Sequence, residues 1–248
     1  MSKDVADYYR RNPLMVSSPF GGVDGIDKDL LLEVFRQLDI DVAGRSILDV
    51  GCGRGYVGEV VEGVGGTYTG VDLVLTRGGV RMALADATAL PFPDASFDGV
   101  LCIDAFEHVP GSERAAAEFR RVLRPRGFAF LSVPNYGNVA GLVKWHCERR
   151  GGYAENTWAP FRNWQPQEFE LPLTAGKVKH AFEAAGFTKL RHIGYGPEVG
   201  LGLFPWIEHP NLHEGIKYRL QSLFKKLGPA VAKVWPGASL HHFWKMEV

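Results

Sequence analysis

Neither sign of charge is in excess: 28 Lys and Arg balance 28 Asp and Glu, for a net charge of zero. Without a global basic field, nucleic acid is a poor expectation as a partner, a local patch aside. Cysteine is scarce. Cys52, Cys102 and Cys147 are the three, and no two form a Cys-x-x-Cys pair. That argues against a zinc knuckle or a dithiol redox motif. Cys52 and Cys102 sit in apolar, strand-like runs and read as reduced core residues. No apolar run reaches the roughly 20 residues of a membrane span. The opening stretch, MSKDVADYYRRNP, holds no apolar core of signal-peptide length. A reducing cytoplasm is the expected location. Internal repeats and low-complexity tracts are lacking as well.

What is present is an alternation of strands and helices. After a polar, turn-rich start, Ile26, Leu30, Leu31, Val34, Phe35 and Leu38 recur at helical spacing. Strands are expected at Ser46–Val50, Thr67–Asp72, Val80–Ala85, Phe97–Ile103, Gly127–Val133, Phe187–Ile193 and Leu240–Met246. Helices are expected at Tyr56–Val64, Ser112–Leu123 and Thr174–Ala185, the last with Gly186 as its C-cap. Strands separated by helices imply parallel crossovers and a doubly wound α/β sheet.

The sharpest motif is Asp49-Val-Gly51-Cys52-Gly53-Arg-Gly55, where the first strand turns into a helix. Glycines there let the backbone approach a ligand closely. Asp72 follows 21 positions after Gly51, at the end of the second strand. An acid at that place can accept hydrogen bonds from ribose hydroxyls. Dinucleotide enzymes want Gly-x-Gly-x-x-Gly, and Tyr56 holds the third glycine's place here. Asp49, just before the glycines, suits a cationic ligand better than a pyrophosphate. S-adenosylmethionine, with an ammonium and a sulfonium and no phosphate, fits that description. A glycine turn that merely joins strand to helix is the plainer alternative.

Asp-x-Gly-x-Gly-x-Gly resembles motif I of class I S-adenosylmethionine-dependent methyltransferases. The stretch Ala85-Asp86-Ala87-Thr88-Ala89-Leu90-Pro91-Phe92-Pro93-Asp94-Ala95-Ser96-Phe97-Asp98 is similar to one in the subfamily that includes ubiquinone and menaquinone biosynthesis enzymes. Leu123-Arg-Pro-Arg-Gly127 looks like that family's turn before strand five. The resemblance covers roughly residues 40–135. It implies a Rossmann-like, seven-stranded, mostly parallel sheet with an antiparallel last strand. By carry-over Asp86 holds the adenine amino group and the amide of Ala87 meets the ring. Leu73 packs on adenine or ribose, and Ile103 completes the cofactor set. Only 14 positions separate Asp72 from Asp86, so the usual crossover helix is very short or absent. Tyr9, with Tyr8, is expected in an N-terminal lid, or is a surface aromatic pair.

The loop after the fourth strand reads Cys102-Ile-Asp104-Ala-Phe-Glu107-His108. His108 is the candidate base, since an ordinary imidazole titrates near neutrality; the alternative is a structural brace. On a helix, Asp104, Glu107 and His108 would share a face. Two carboxylates and an imidazole can hold a divalent cation. The spacing resembles the Glu-x-x-Glu-His of certain metal-assisted O-methyltransferases, with Asp in the first position. The alternative is a helix start favoured by acids.

The expected organisation is a single domain over 1–248. Residues 1–40 form the lid and first helix, and 41–135 the cofactor-binding core. Inserts at 136–172 and 195–238 form a cap on the substrate side. In the first insert Trp145, His146, Trp158, Phe161, Arg162 and Trp164 either line an apolar or aromatic acceptor pocket or form the cap's own core. In the second, Ile216, Leu220, Leu223, Phe224 and Leu227 make a helical stripe flanked by Lys217, Arg219, Lys225 and Lys226. Residues 214–228 therefore either touch an anionic membrane or pack on protein. His241 and His242 face opposite ways on a strand and are not expected to share a metal. The expected activity is methyl transfer to a small organic acceptor, oxygen favoured because of His108. An NAD(P)-dependent oxidoreductase and a non-catalytic scaffold are the rivals. The oligomeric state is left open.

Overall fold

The computed structural model describes residues 7–8, 11, 19–22, 25–75, 81–149, 170–209 and 211–248. Seven strands form one sheet: β1 Ser46–Val50, β2 Thr67–Asp72, β3 Met82–Leu84, β4 Phe97–Ile103, β5 Leu123–Pro134, β6 Lys189–Gly194 and β7 His241–Glu247. Their order is β3-β2-β1-β4-β5-β7-β6. The β1–β2, β1–β4, β2–β3 and β4–β5 ladders are parallel. The last strand, β7, runs antiparallel between β5 and β6. This is the Rossmann-like sheet that the motif resemblance implied. Interior strands are nearly continuous apolar runs because both faces are covered.

Helices α1 Lys28–Gln37 and α2 Tyr56–Gly63 cover one face, where Leu31, Val34, Phe35, Val57, Val60 and Val61 pack on Ile47, Phe130 and Phe243. Helices α3 Ser112–Val122 and α5 Ala175–Ala184 cover the other, where Ala115, Phe119, Val178 and Phe182 pack on Val100, Leu131 and Trp244. Local chemistry sets the ends. Asp27 caps α1 by accepting from the Leu30 amide at 3.0 Å. Thr174 accepts from the Lys177 amide to open α5, and Gly186 follows that helix at φ +92°. Helices α4 Val139–Arg149, α6 Val199–Leu203 and α7 Glu214–Val234 come from the two inserts.

Two expected boundaries change. The third strand shrinks to three residues at the sheet edge. The Leu123–Gly127 stretch is not a separate turn. Leu123 pairs with Phe97, and the register then slips so that Gly99 faces Phe128. Arg126, at φ +67°, takes up the extra residues as a bulge inside β5.

The second face hinges on an aromatic cluster. Phe182 is fully buried, with ring centroids 5.3 Å from Phe106 and 5.2 Å from Phe187. Phe182→Ala should cost about 3–5 kcal/mol of unfolding free energy. Denaturant melts check this, and a loss under about 1 kcal/mol would show that α5 collapses onto the sheet to refill the space.

Candidate active site

The chain reverses direction across the sheet between β1 and β4, and ligands of such folds sit outside the strand ends there. The glycine loop follows β1. Gly51, Gly53 and Gly55 have φ values of +79°, +52° and +74°. Amides of Gly51 and Cys52 donate to the Val71 carbonyl at 2.8 and 3.1 Å, and the Gly53 amide donates to Asp72 Oδ2 at 2.8 Å. Asp72 Oδ1 accepts from the Val74 amide at 3.2 Å. The loop is thus tied to the end of β2. A Cβ on Gly51 would lie 2.3 Å from the Ala105 Cβ, so this residue must be glycine for the loops after β1 and β4 to touch. A Cβ on Gly53 would meet nothing within 4 Å, leaving that stretch of backbone open to a ligand.

Two acids serve this loop differently. Asp72 is half-buried at the end of β2, and burial raises its carboxyl above the usual range against the pull of the Gly53, Val74 and Leu73 amides. Asp49 is buried, and its Oδ2 accepts from the Tyr68 hydroxyl at 2.8 Å. Burial pushes Asp49 up to about 7; the Tyr68 bond opposes that shift and the charge of Asp72 adds to it. Tyr68 was not foreseen from sequence. Only the β1–β2 register brings it under Asp49. Cys52 is buried beneath the loop, its thiol pushed up chiefly by burial.

Beyond β2, Leu73 is half-buried next to Asp72, and Ile103 is half-buried at the end of β4. Asp86 Oδ1 accepts from the amide and the hydroxyl of Thr88, each at 2.8 Å. This Asx turn leaves buried Ala87 at its tip. Tyr9, Trp158, Phe161, Arg162 and Trp164 lie outside the described residues. Trp145 and His146 lie on α4.

The loop after β4 differs from expectation. Asp104 takes φ +46°, and only Phe106–His108 form a single 3-10 turn. The shared helical face drawn for Asp104, Glu107 and His108 therefore does not exist. Among the described residues no three His, Cys, Asp or Glu side chains gather as a metal-holding group. The metal assignment to these three is corrected on that ground. All three are buried instead. Asp104 Oδ1 accepts from the Ser132 hydroxyl at 2.6 Å. His108 Nε2 lies 3.7 Å from Glu107 Oε1. Burial raises the Glu107 carboxyl well above its usual range, and the charge of Asp104 adds to this. Burial pulls His108 down to about 4, although the charges of Glu170 and Asp104 oppose it. At neutral pH, His108 is then a neutral imidazole. Among the described residues, Asp104 Oδ2 and Glu107 Oε2 are buried without a hydrogen-bond partner. Buried orphan oxygens of this kind mark a polar place that a ligand can satisfy.

A second polar group borders this loop. Fully buried Lys144, on α4, bonds the Tyr136 hydroxyl and lies 2.8 Å from Glu170 Oε2. Tyr136 donates to Glu170 Oε1 at 2.7 Å. The Leu171 amide donates to the Glu107 carbonyl at 2.7 Å, which joins this group to the loop. No spacing in the sequence signals the triad, because its members come from three separate segments.

Residues 48–131 match the methyltransferase-domain family. A ubiquinone biosynthesis O-methyltransferase of Thiobacillus denitrificans is 34% identical over 108 residues, which is 38% of this chain and 46% of that protein. One of the same description from Pseudomonas entomophila is 34% identical over 118 residues, 42% of this chain and 50% of its own. The chain thus spans about half the length of the curated relatives it matches. A solved structure described as an S-adenosylmethionine-dependent methyltransferase from Archaeoglobus fulgidus superposes with a TM-score of 0.56 at 17% identity, covering 89% of this chain and 94% of that one. The fold is that of the class I methyltransferases.

His108 supplies a test of this electrostatic picture. Its folded value lies below the unfolded 6.5, so the unfolded chain takes up the proton first as pH falls. Its contribution to stability is complete above pH 6.5 and is lost between 6.5 and about 4. Imidazole proton shifts should leave His108 untitrated down to about pH 5 in the folded protein. A midpoint near the ordinary value would mean that the side chain is solvated.

Proposed function

We propose that the chain transfers a methyl group from S-adenosylmethionine to a hydroxyl of a small organic acceptor. The observation that carries this reading is the pair of acids around one open glycine loop: Asp72 bonded to the Gly53 amide, and buried Asp49 behind the loop. The residues fit the cofactor. Gly53 leaves room for close approach, and Asp72 has lone pairs left for ribose hydroxyls. Asp49 ionises readily beside an ammonium, being poised at about 7. Leu73 would pack against the ring, the Asp86–Ala87 turn would meet the adenine edge, and Ile103 would close the floor. Tyr9 would belong to a lid over the cofactor.

When bound, the cofactor supplies an electrophilic methyl group on sulfur. The chain's own work is to align an acceptor and take its proton. His108 is neutral at pH 7 and can receive that proton. The charges of Glu170 and Asp104 would stabilise the imidazolium that results. Glu107, its carboxyl raised by burial and one oxygen orphaned, would hydrogen-bond the acceptor. Oxygen as the target is supported by this base and by the description of the relatives as O-methyltransferases. The inserts 136–172 and 195–238 would supply the acceptor's apolar surroundings, and the domain is read as one unit over 1–248. Cytoplasmic residence fits the free cysteines.

Labelled S-adenosylmethionine incubated with a panel of phenols and catechols tests the proposal. Transfer should persist in chelator. Asp72→Ala should raise the cofactor KM about ten-fold or more by removing charge-assisted hydrogen bonds. His108→Gln should lower kcat roughly 100-fold. An unchanged kcat in that variant removes the base, and transfer to amines alone overturns the oxygen assignment.

A further inference from the structure

The last insert presents an unpartnered surface. Helix α7 is held to the protein by one face. Phe224 stacks toward Phe204, with centroids 5.5 Å apart. Gly228 packs so closely that a Cβ there would fall 2.1 Å from the Gly196 carbonyl oxygen, and Ala232 is buried. These contacts fix how the helix is rotated. The apolar stripe expected from sequence therefore splits. Phe224 turns inward, while Ile216, Leu223, Leu227 and Val234 stay 48%, 48%, 49% and 83% exposed. At spacings of seven, four and seven, those four share one line along the helix. A second line, Arg219, Lys226 and Lys233, repeats every seven residues about 80° round the helix from the first. None of these three cations forms an ion pair among the described residues, and Lys225 is likewise without one. Glu214 is the single acid of α7, at its first residue and already 2.7 Å from Lys217.

We infer that α7 is a docking surface for an anionic lipid bilayer, lying flat with its apolar line in the acyl boundary and its cationic line among the headgroups. Charge decides the choice of occupant. A row of cations beside an apolar row complements a negatively charged apolar interface. A second copy of this helix would offer the same cations and, against them, only Glu214, which already pairs with Lys217. Exposed apolar residues aligned over several turns and locked outward mark an interaction surface rather than stray surface residues. No helix among the described residues is long and apolar enough to cross a membrane, so the contact is peripheral. The inference does not depend on methyl transfer, because it rests only on the exposed rows of α7 and vesicle binding is read without substrate.

Co-sedimentation of the full chain with vesicles tests it. Binding should be seen with phosphatidylcholine vesicles containing phosphatidylglycerol, should be absent with phosphatidylcholine alone, and should fall as salt rises. Lys226→Gln and Lys233→Gln should each weaken binding about five-fold. Leu223→Gln with Leu227→Gln should abolish it while leaving the circular dichroism spectrum and melting temperature unchanged, since both side chains are exposed. Failure to bind anionic vesicles overturns the proposal. So does a dimer in light scattering that the leucine variants dissociate, which would make the surface a contact between copies.

Discussion

One hydrogen bond, from the Gly53 amide to Asp72, holds the end of β2 against the loop that leaves β1. Much of the site follows from it. The loop is held to the sheet, with the Gly53 backbone left open and Gly51 pressed against Ala105. That contact in turn brings the loop after β4 alongside, with Asp104, Glu107 and His108. Three parallel strands thus deliver three acids, Asp49, Asp72 and Asp104, to one end of the sheet. Parallel pairing makes this unavoidable, since neighbouring strands end on the same side.

Grouping acids in a poorly solvated place is expensive, and the structure offsets the cost in distinct ways. Asp72 receives backbone amides. Asp49 and Asp104 each take one side-chain hydroxyl, from Tyr68 and Ser132. Glu107 has no such help for its Oε2, and burial raises its carboxyl well above the usual range. Glu170 meets the buried ammonium of Lys144. His241 on β7 is held protonated up to about 9, where Glu198 at 2.7 Å overcomes the effect of burial. The result is a site whose neighbouring groups are pushed in opposite directions, Glu107 upward and His108 downward, as perturbed groups at functional sites are.

The sheet was largely legible from sequence. Buried parallel strands write themselves as short apolar runs, as at Ser46–Val50 and Phe97–Ile103, and helices covering them keep a 3.6-residue period. The glycine loop's left-handed turn was legible too, because such backbone demands glycine and leaves a pattern in consecutive residues. The loop after β4 was misread for a physical reason. Spacing of i, i+3 and i+4 has meaning only on an α-helix, and Asp104 enters the left-handed region that breaks one. Tyr68 under Asp49 and the Lys144–Tyr136–Glu170 triad were invisible because register and tertiary packing create them. For α7, periodicity found the stripe, but only the packing of Phe224 and Gly228 told which part of it faces out.

The central claim is that Asp49 and Asp72 build a cavity for a cationic adenosyl ligand rather than for a dinucleotide. Calorimetric titration with S-adenosylhomocysteine across pH 6 to 8 tests it most directly, with NADH as the comparison. In the free protein Asp49 is half-protonated at about 7, and an ammonium beside it favours the charged form. Affinity should therefore rise over this range by up to about ten-fold, with proton release near pH 6, and Asp49→Asn should flatten the dependence. Binding of NADH in place of S-adenosylhomocysteine, or affinity that is flat in pH in the unaltered protein, would contradict the account.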